Sequence, residues 1–483
     1  MTLNEILALQ DDSSRINELR QGRTFVSLTK ESVLEELDPY EHSVFDKVKR
    51  PKKLVKVDRE GSNINKISGS ESDLLPQEVA RIGLALQKLI IRRAASFIFG
   101  NPVEITTQLE ENNEIDITFF DTIKDILKMN RINSINRSVA KNLFACKEVA
   151  ELWYPQTSND PVYAMKSKYK LRVRVLSPLL GDSIYPYFDE TGDLIAFSRE
   201  YSVQYGETTK KFFETYTKDQ IFKWDISDGI STVVESDNST YPRENPIGKI
   251  PVVYACQEHT EYRDVHGLIE RLETLLSNFA DTNDYHGSPK IFINGTVTGF
   301  AKKGENGAIL QGDKDAKAQY LSWDHAPESV KLEINTLLNL MYTISQTPDI
   351  SFENVKGLGS SVSGKALKMM FLDAHLKVED HMEVLGEYLD RRISVIDAYV
   401  KSFDNTKFGK VNLSIESKVT PYMIDDESEK ISTLMIATGN KAILSQKTAI
   451  GMTGLVADAN AEYEQILKEG EVATVQNVFG AAK

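Results

Sequence analysis

The chain has 483 residues, 41% of them hydrophobic, which is enough to bury a core spread over roughly two to four structural regions. Its two cysteines, Cys146 and Cys256, argue against a disulfide scaffold and a cysteine-based zinc site, and no run approaches the ~20 apolar residues of a membrane span. A net charge of −14 argues against a protein that grips nucleic acid over its whole surface, but not against one that a duplex slides past.

The N-terminal 76 residues are polar and include a cluster of basic side chains. We interpret this segment as a solvated arm or an edge strand, with a phosphate-binding patch as the alternative. The cluster comprises Lys47, Lys49, Arg50, Lys52, Lys53 and Lys56. A helix is predicted over Gln77–Phe99, and Gly100-Asn101-Pro102 is a conventional signal for its end.

Two further helices and a β-rich region are predicted next. The helices cover Phe119–Met129 and Ser134–Phe144. Segments rich in aromatic and β-branched residues then alternate with turn signals, which predicts a mostly antiparallel β meander. The predicted strands are Glu148–Tyr154, Arg172–Leu176, Leu194–Tyr205, Lys211–Thr217, Gln220–Trp224 and Ile250–Cys256.

Two amphipathic helices then enclose a short β-rich insert. In each helix apolar residues recur every three or four positions, which keeps one apolar stripe on one face. The stripes are Val265, Leu268, Leu272, Leu275 and Phe279, then Val330, Ile334, Leu337, Met341 and Ile344.

Within the insert, Asn294-Gly295 predicts a hairpin because a type I′ turn needs positive φ at both central residues. The hairpin would join Lys290–Asn294 to Thr296–Ala301, and two more strands are predicted over Ala308–Gln311 and Gln319–Trp323.

A glycine- and serine-rich loop, Ser351–Gly364, shows no apolar periodicity and is predicted to be weakly packed. A helix without internal proline follows over Lys365–Phe403, about 58 Å at 1.5 Å per residue. A compact single-subunit enzyme does not need this layout, whereas a ring of subunits around a channel does. The remainder is predicted as a strand, three helices and a disordered last dozen residues: Val411–Val419, Ser428–Thr438, Ser445–Thr453, Asn460–Glu469 and 472–483.

Motifs for catalysis are incomplete. Residues Gly359–Lys365 match the start of a phosphate-binding loop, but Ala366 stands where a Mg²⁺-binding Ser or Thr belongs and no hydrophobic strand precedes the loop. His375 and His381 lie six residues apart on the long helix, so they do not share a face, and we expect them on the surface. The sequence predicts no catalytic residue, no metal ligand and no cofactor.

Several short segments, in a fixed order, match one known family. They are Phe97–Val103, Leu176–Pro178, Ile184–Asp189, Phe197–Tyr201, Asn245–Val253, Ser363–Lys368 and Leu444–Ala449 followed by Glu462. Together they resemble the portal proteins of tailed bacteriophages, specifically siphovirus-like phages of Gram-positive hosts. The resemblance covers about Gln77 to Gly470.

This resemblance implies an α+β portal fold with successive regions, assembled as a ring. Residues 1–76 would be an N-terminal arm or wing segment and 77–261 the α/β wing. Residues 262–287 and 327–347 would be the paired stem helices, enclosing a small β-rich clip at 288–326. The rest would be a tunnel loop at 348–364, a long wing helix with a wing strand at 365–427, and a helical crown with the C-terminal tail at 428–483.

The same resemblance implies a function without chemistry. The protein would form a dodecameric ring at one capsid vertex, assembled in the host cytoplasm, through which double-stranded DNA is packaged and ejected. Its partners would be the terminase large subunit, the head-tail adaptor, and the major capsid and scaffolding proteins, with no membrane. Another phage head or head-completion protein is the alternative, and a nucleotide-binding enzyme is a more distant one.

Two sets of residues would form the contact sites. The DNA-facing tunnel loop would comprise Asn354, Val355, Lys356, Gly357, Leu358, Gly359, Ser360 and Ser361. The clip would present Lys302, Lys303, Glu305, Asn306 and Lys314 to the terminase or adaptor. Lys356 is the loop's one basic residue before Lys365, and its repeat around a ring would form a positive collar. A surface ion pair with Glu353 is the alternative.

Overall fold

The computed structural model describes residues 5–6, 27–56, 74–108, 113–227, 232–233, 235–236, 239–286, 290–294, 297–299, 311–312, 317–321, 326–349, 369, 371–422, 427–439, 442–456 and 458–480. The chain divides into two compact units. The first comprises Met1–Thr347 and Leu376–Pro421, and the second Pro348–His375 and Tyr422–Lys483. Helices make up 49% and strands 24%, which confirms the α+β class.

The helices are numbered along the chain. They are α1 Lys30–Leu37, α2 Leu86–Phe99, α3 Glu114–Met129, α4 Ile132–Cys146, α5 His266–His286, α6 Ala326–Ile344, α7 Leu372–Phe403, α8 Asn405–Phe408, α9 Glu427–Thr438, α10 Gln446–Thr453 and α11 Ala459–Gly480. The strands up to α5 are β1 Lys53–Lys56, β2 Leu74–Gln77, β3 Glu104–Thr107, β4 Glu148–Val162, β5 Ser167–Leu176, β6 Asp182–Phe188, β7 Leu194–Tyr205, β8 Thr208–Thr217, β9 Gln220–Asp225, β10 Thr232–Val233, β11 Glu235–Ser236, β12 Ser239–Thr240, β13 Arg243–Glu244 and β14 Val252–Cys256. The later strands are β15 Lys290–Asn294, β16 Val297–Gly299, β17 Gln311–Gly312, β18 Lys317–Leu321 and β19 Ile415–Lys418.

Strand β4 lies at the centre of the first unit. It pairs antiparallel with both β14 and β5, in the order β14-β4-β5. On one face Ala150 and Leu152 pack with Phe197 of β7, and on the other face Trp153 is fully buried. The hydroxyl of Tyr399 on α7 donates to the Trp153 carbonyl at 2.9 Å. Packing on both faces leaves the first six residues of β4 buried, including the two carboxyl groups of Glu148 and Glu151.

The predicted antiparallel meander is confirmed. Strands β6 to β10 pair consecutively in the order β10-β9-β8-β7-β6, and β13 also pairs with β9. The register is set at the β7–β8 turn, where Tyr205 faces Thr208 across Gly206 and Glu207. Gly206 has a φ of 62°, a left-handed conformation that suits glycine.

The start predicted for the helix at Gln77 is wrong. Gln77 ends β2, which pairs with β1, and the helix α2 begins only at Leu86. Between them, residues 78–85 are not helical, and α5 side chains accept the backbone N–H groups of three of them, Ala80, Ile82 and Leu84. Backbone donors that are already satisfied by another element do not need helical hydrogen bonds.

The predicted hairpin at Asn294-Gly295 is also wrong. Strand β15 pairs with β18 over five residue pairs, from Lys290 opposite Leu321 to Asn294 opposite Lys317. Strand β16 pairs instead with β17. A turn dipeptide favours a local hairpin, but the longer ladder between β15 and β18 satisfies more backbone groups.

Helix α7 ends at Phe403 as predicted, but it begins only at Leu372, after the non-helical Phe371. The predicted start at Lys365 lies outside the described residues. The predicted strand after it is shorter, since β19 pairs with β3 over four residues. In the second unit α10 is capped by Ser445, whose side chain accepts from Thr448 N at 3.1 Å. The disorder predicted for the last dozen residues is wrong as far as Gly480, where α11 ends. No proline interrupts 459–480, so the helix can continue.

Candidate functional site

The two predicted stem helices, α5 and α6, pack against each other in the first unit. An ion pair links them, with Arg271 Nη2 2.7 Å from Glu333 Oε1. The predicted stripe of α5 is confirmed in part, because Leu272 and Leu275 are buried. Leu268 and Phe279 are half-buried, and the buried Val265 precedes the helix. Together these contacts fix the pairing of the two helices through one face of α5.

On α6 the predicted stripe is only partly covered within one chain. Met341 is 1% exposed, whereas Val330 and Leu337 are half-buried. Ile344 is 48% exposed, so its predicted place in a buried stripe is wrong for the single chain. Leu332 and Leu340, outside the predicted stripe, are 69% and 44% exposed. The outer side of α6 therefore presents apolar surface.

A second buried face of α5 was not predicted. Glu273, Ser277 and Asp281, four residues apart, accept backbone N–H groups of an extended segment that lies along the helix. The pairs are Leu84 N to Glu273 Oε1 at 2.7 Å, Ile82 N to Ser277 Oγ at 3.0 Å and Ala80 N to Asp281 Oδ1 at 2.7 Å.

The geometry explains why these contacts repeat. Two residues of extended chain advance about 6.6 Å, and four residues of α-helix advance about 6 Å. Alternate amides of 80–84 therefore stay in step with every fourth residue of α5. A polar stripe at 273, 277 and 281 is the sequence signal that could have revealed this second face.

Residues 36–50 also anchor to this part of the unit. His42 Nδ1 lies 2.6 Å from Glu273 Oε1, and Arg50 Nη2 lies 2.7 Å from Asp281 Oδ2. Gly83 makes the fit possible, because a Cβ there would lie 2.3 Å from the Pro39 carbonyl oxygen. Arg50, predicted as part of a solvated or phosphate-binding cluster, is thus a structural side chain.

Burial lowers the pKa of His42, but the hydrogen bond and the negative charge of Glu273 outweigh burial, so the pKa is raised above its ordinary 6.5. The imidazole is therefore held more readily as a cation than a free histidine. This attaches the N-terminal segment to α5 through a charge-assisted contact.

A cluster of polar side chains connects the start of α5, the end of α6 and α7. Glu261 is 4% exposed and contacts both Lys377 Nζ and His381 Nε2, the latter at 3.2 Å. Lys377 Nζ also donates to the Ser345 carbonyl at 2.6 Å, just after α6 ends. These groups line an open cleft of about 220 Å³.

Burial raises the pKa of Glu261, but contacts with His381 and Lys377 lower it by more. The net pKa is therefore below its ordinary value, and the carboxyl is held ionised. The His381 ring also lies 4.5 Å from the Phe144 ring, so the prediction of a surface histidine is wrong for His381. Nothing in the sequence pairs positions 261 and 377, because only the fold brings them together.

The predicted contact residues lie outside the described residues. This holds for the tunnel-loop set Asn354, Val355, Lys356, Gly357, Leu358, Gly359, Ser360 and Ser361 and for the clip set Lys302, Lys303, Glu305, Asn306 and Lys314. The phosphate-loop-like residues 359–366 lie there too. What the structure shows are the elements that flank them: α6 and α7 on either side of the loop, and β15 to β18 within the insert.

Within the described ranges, no group of three or more His, Cys, Asp or Glu side chains is placed to hold a metal ion. None of the helices in the described part of the chain is long and apolar enough to cross a membrane.

Comparison with known proteins identifies the family. Residues 49–475 match the family described as phage portal protein, SPP1 Gp6-like. Because this match spans most of the chain, the chain belongs to that family of bacteriophage portal proteins, which is a structural and not an enzyme family. No curated protein matches the chain.

The solved structures that match the chain include two from gene transfer agent (GTA) particles. One is the neck of an empty GTA particle computed with C6 symmetry, with 9% identity and a TM-score of 0.40, covering 77% of this chain and 89% of that chain. Another is the virion of a native GTA particle, with 10% identity and a TM-score of 0.39, covering 77% of this chain and 88% of that chain.

Proposed function

We propose that this portal protein forms a closed ring of twelve subunits around a channel for double-stranded DNA. The observation that carries the proposal is the outer face of α6, where Leu332, Leu340 and Ile344 are exposed in the single chain. Exposed apolar side chains that lie together on one helix face favour a contact with another protein surface. Family membership supports the same reading.

A ring requires a heterologous contact, in which one patch of each subunit meets a different patch of the next. The pair α5–α6 has such patches, since one side of α6 packs on α5 and the opposite side is open. We infer that α6 packs against the adjacent subunit through Leu332 and Leu340. Twelve chains with a net charge of −14 each would form a strongly acidic complex. Such a complex suits the passage of DNA rather than tight binding of DNA.

The finer assignments are part of the same proposal. Residues 288–326 would be the clip, docking first the terminase large subunit and later the head-tail adaptor. Residues 348–364 would be the tunnel loop, 365–427 the long wing helix with its strand, and 428–483 the crown. The wing and crown would meet the major capsid and scaffolding proteins, and the assembled ring would stand at one vertex of the virion.

Assembly is the first test. Purified protein should give rings with a central hole and near twelve-fold symmetry in negative stain, and a matching mass in mass photometry. Leu340→Asp should reduce the ring fraction strongly. The control Thr209→Asp adds the same charge at an exposed position of β8, outside α6, and should retain rings. A monodisperse wild-type monomer at micromolar concentration would overturn the proposal.

The tunnel loop has its own test. We propose that Lys356 from each subunit makes brief phosphate contacts, which carry no sequence information and slow DNA without trapping it. Rings of Lys356→Glu and Lys356→Ala should package or retain full-length DNA less well than wild type. Normal packaging and retention of DNA by both variants would exclude the proposed positive collar, but would not bear on the proposed ring.

Absence of catalysis is proposed as well. Ala366 cannot ligate Mg²⁺, so ATP binding should be undetectable by calorimetry in wild type and in Lys365→Ala. Saturable binding that Lys365→Ala abolishes would support a nucleotide site instead.

A further inference from the structure

Strand β5 has a row of basic side chains on one face. Successive residues of a strand point to opposite faces, so every second residue shares a face. On β5 those residues are Lys168, Lys170, Arg172 and Arg174. They span about 20 Å at roughly 3.4 Å per residue. We name these four residues the basic ladder. Such a concentration of positive charge contrasts with the net charge of −14 of the chain.

The fold holds this row rigidly. The opposite face of β5 is partly packed: Leu171 is fully buried, and the ring of Tyr169, which is 47% exposed, stacks on Phe403 of α7 at 5.6 Å. Asn130, the residue after α3, donates its side-chain N–H to the Leu171 carbonyl at 2.9 Å. The ladder therefore belongs to an ordered, hydrogen-bonded strand.

Few carboxylates neutralise the ladder. Arg174 approaches Asp182 at 4.0 Å and lies over the Tyr201 ring at 6.0 Å. Lys168, Lys170 and Arg172 have no ion-pair partner among the described side chains. Across the strand pair, Tyr154 faces Arg172 and Gln156 faces Lys170, and both are exposed. Lys168 is exposed and Lys170 and Arg172 are half-buried, so all three reach solvent and can contact an anionic partner.

We propose that the basic ladder binds the phosphate backbone of double-stranded DNA outside the channel, without reading sequence. A straight row of cations on a rigid strand suits an extended polyanion, because a duplex presents a phosphate about every 3.4 Å along each strand. No apolar pocket interrupts the row to anchor a peptide side chain, so an acidic protein segment suits it less. Lysine and arginine contacts to phosphate position a duplex but do not specify its bases.

The proposed DNA contact lies outside the channel and does not require a closed ring. The experiment uses covalently closed circular duplex DNA, which cannot thread a closed ring, so channel binding does not contribute. Binding to full-length protein is measured at several salt concentrations. Each phosphate contact adds about 0.9 to the slope of log affinity against log salt.

The test variant is Lys168→Ala/Lys170→Ala/Arg172→Ala. Its slope should be shallower than that of wild type by about 2 to 3, and its affinity at low salt lower by about tenfold or more. The matched control, Lys430→Ala/Lys447→Ala/Lys468→Ala, removes three cations from exposed positions of the second unit and should keep the wild-type slope. Equal thermal stability of both triple variants establishes that folding is intact.

Three outcomes would overturn the proposal. One is an unchanged slope in the test variant, and a second is an equal decrease in the control. The third is an unchanged DNA affinity together with aggregation of the test variant. That result would show that the lysines protect β5, an edge strand of its sheet, from pairing with other chains. If rings do not assemble, the comparison of the test and control variants still reports on the basic ladder, because the two variants differ only in which three cations they lack.

Discussion

Arg392 of α7 and Glu151 of β4 form a fully buried pair, although 241 residues separate them in the chain. The Nε atom of Arg392 donates to Glu151 Oε2 at 2.9 Å and its Nη2 atom contacts Glu151 Oε1, a two-pronged arrangement. Its Nη1 atom donates to Asn136 Oδ1 of α4 at 2.6 Å. One guanidinium therefore joins the long helix to the central strand and to α4.

Removing one partner of this pair should be costly. Arg392→Ala leaves a buried carboxylate without its cation, and we expect about 3–5 kcal/mol of destabilisation, seen as a lower Tm in scanning fluorimetry. Arg391→Ala, the control, removes an exposed arginine paired with Glu387 and should cost less than about 1 kcal/mol. Equal Tm losses in the two variants would refute a structural role for the buried pair.

The hydrogen bonds between residues 80–84 and α5 give a second prediction. Ser277→Ala removes the acceptor of the Ile82 amide, and an unsatisfied buried N–H costs about 1–3 kcal/mol. We expect faster hydrogen exchange at Ile82 and a lower Tm. Thr282→Ala is the control, because that hydroxyl donates only to the Asn278 carbonyl of its own helix. An unchanged rate of hydrogen exchange at Ile82 in Ser277→Ala would count against these hydrogen bonds.

The contact between His42 and Glu273 predicts a pH dependence. The folded-state pKa of His42 lies above its ordinary 6.5, so its stabilisation is fully present below pH 6.5 and is lost as the pH rises through the folded value. The Tm difference between wild type and His42→Gln should therefore shrink from pH 6 to pH 8.5. A constant difference across that range would exclude a charged His42.

Glu148 predicts a second pH dependence. Burial raises its pKa from 4.5 to about 7, although hydrogen bonds from Ser27 and Tyr254 oppose the shift. The folded protein then binds the proton more tightly than the unfolded chain, so stability falls as the pH rises from 4.5 through about 7. Glu148→Gln removes this loss, which is at most about 3.4 kcal/mol at 1.36 kcal/mol per pKa unit.

The measurement for Glu148 is the Tm of both proteins at pH 5 and at pH 8. Relative to wild type, Glu148→Gln should be more stable at pH 8 than at pH 5. The exposed Glu464→Gln, the control, should show the same difference from wild type at both pH values. If Glu148→Gln behaves like this control, the carboxyl titrates in its ordinary range.

Local sequence patterns predicted many of the elements. The apolar spacing of α5, the end of α7 at Phe403 and the antiparallel meander follow from side-chain periodicity and turn residues, which act over a few positions. The motif order also identified the portal family. These features depend on neighbours in the chain, so they can be recognised without the fold.

Only the tertiary structure decided which distant groups meet. Residues 80–84 stay out of the helix because Glu273, Ser277 and Asp281 accept the amides of alternate residues. Strand β15 pairs with β18 because that pairing is longer than a local hairpin. The fold alone also brings together the ion pair of Glu261 with Lys377 and the buried pair of Arg392 with Glu151. Such contacts depend on satisfying buried charges and backbone groups across the whole fold, and local periodicity contains no information about their partners.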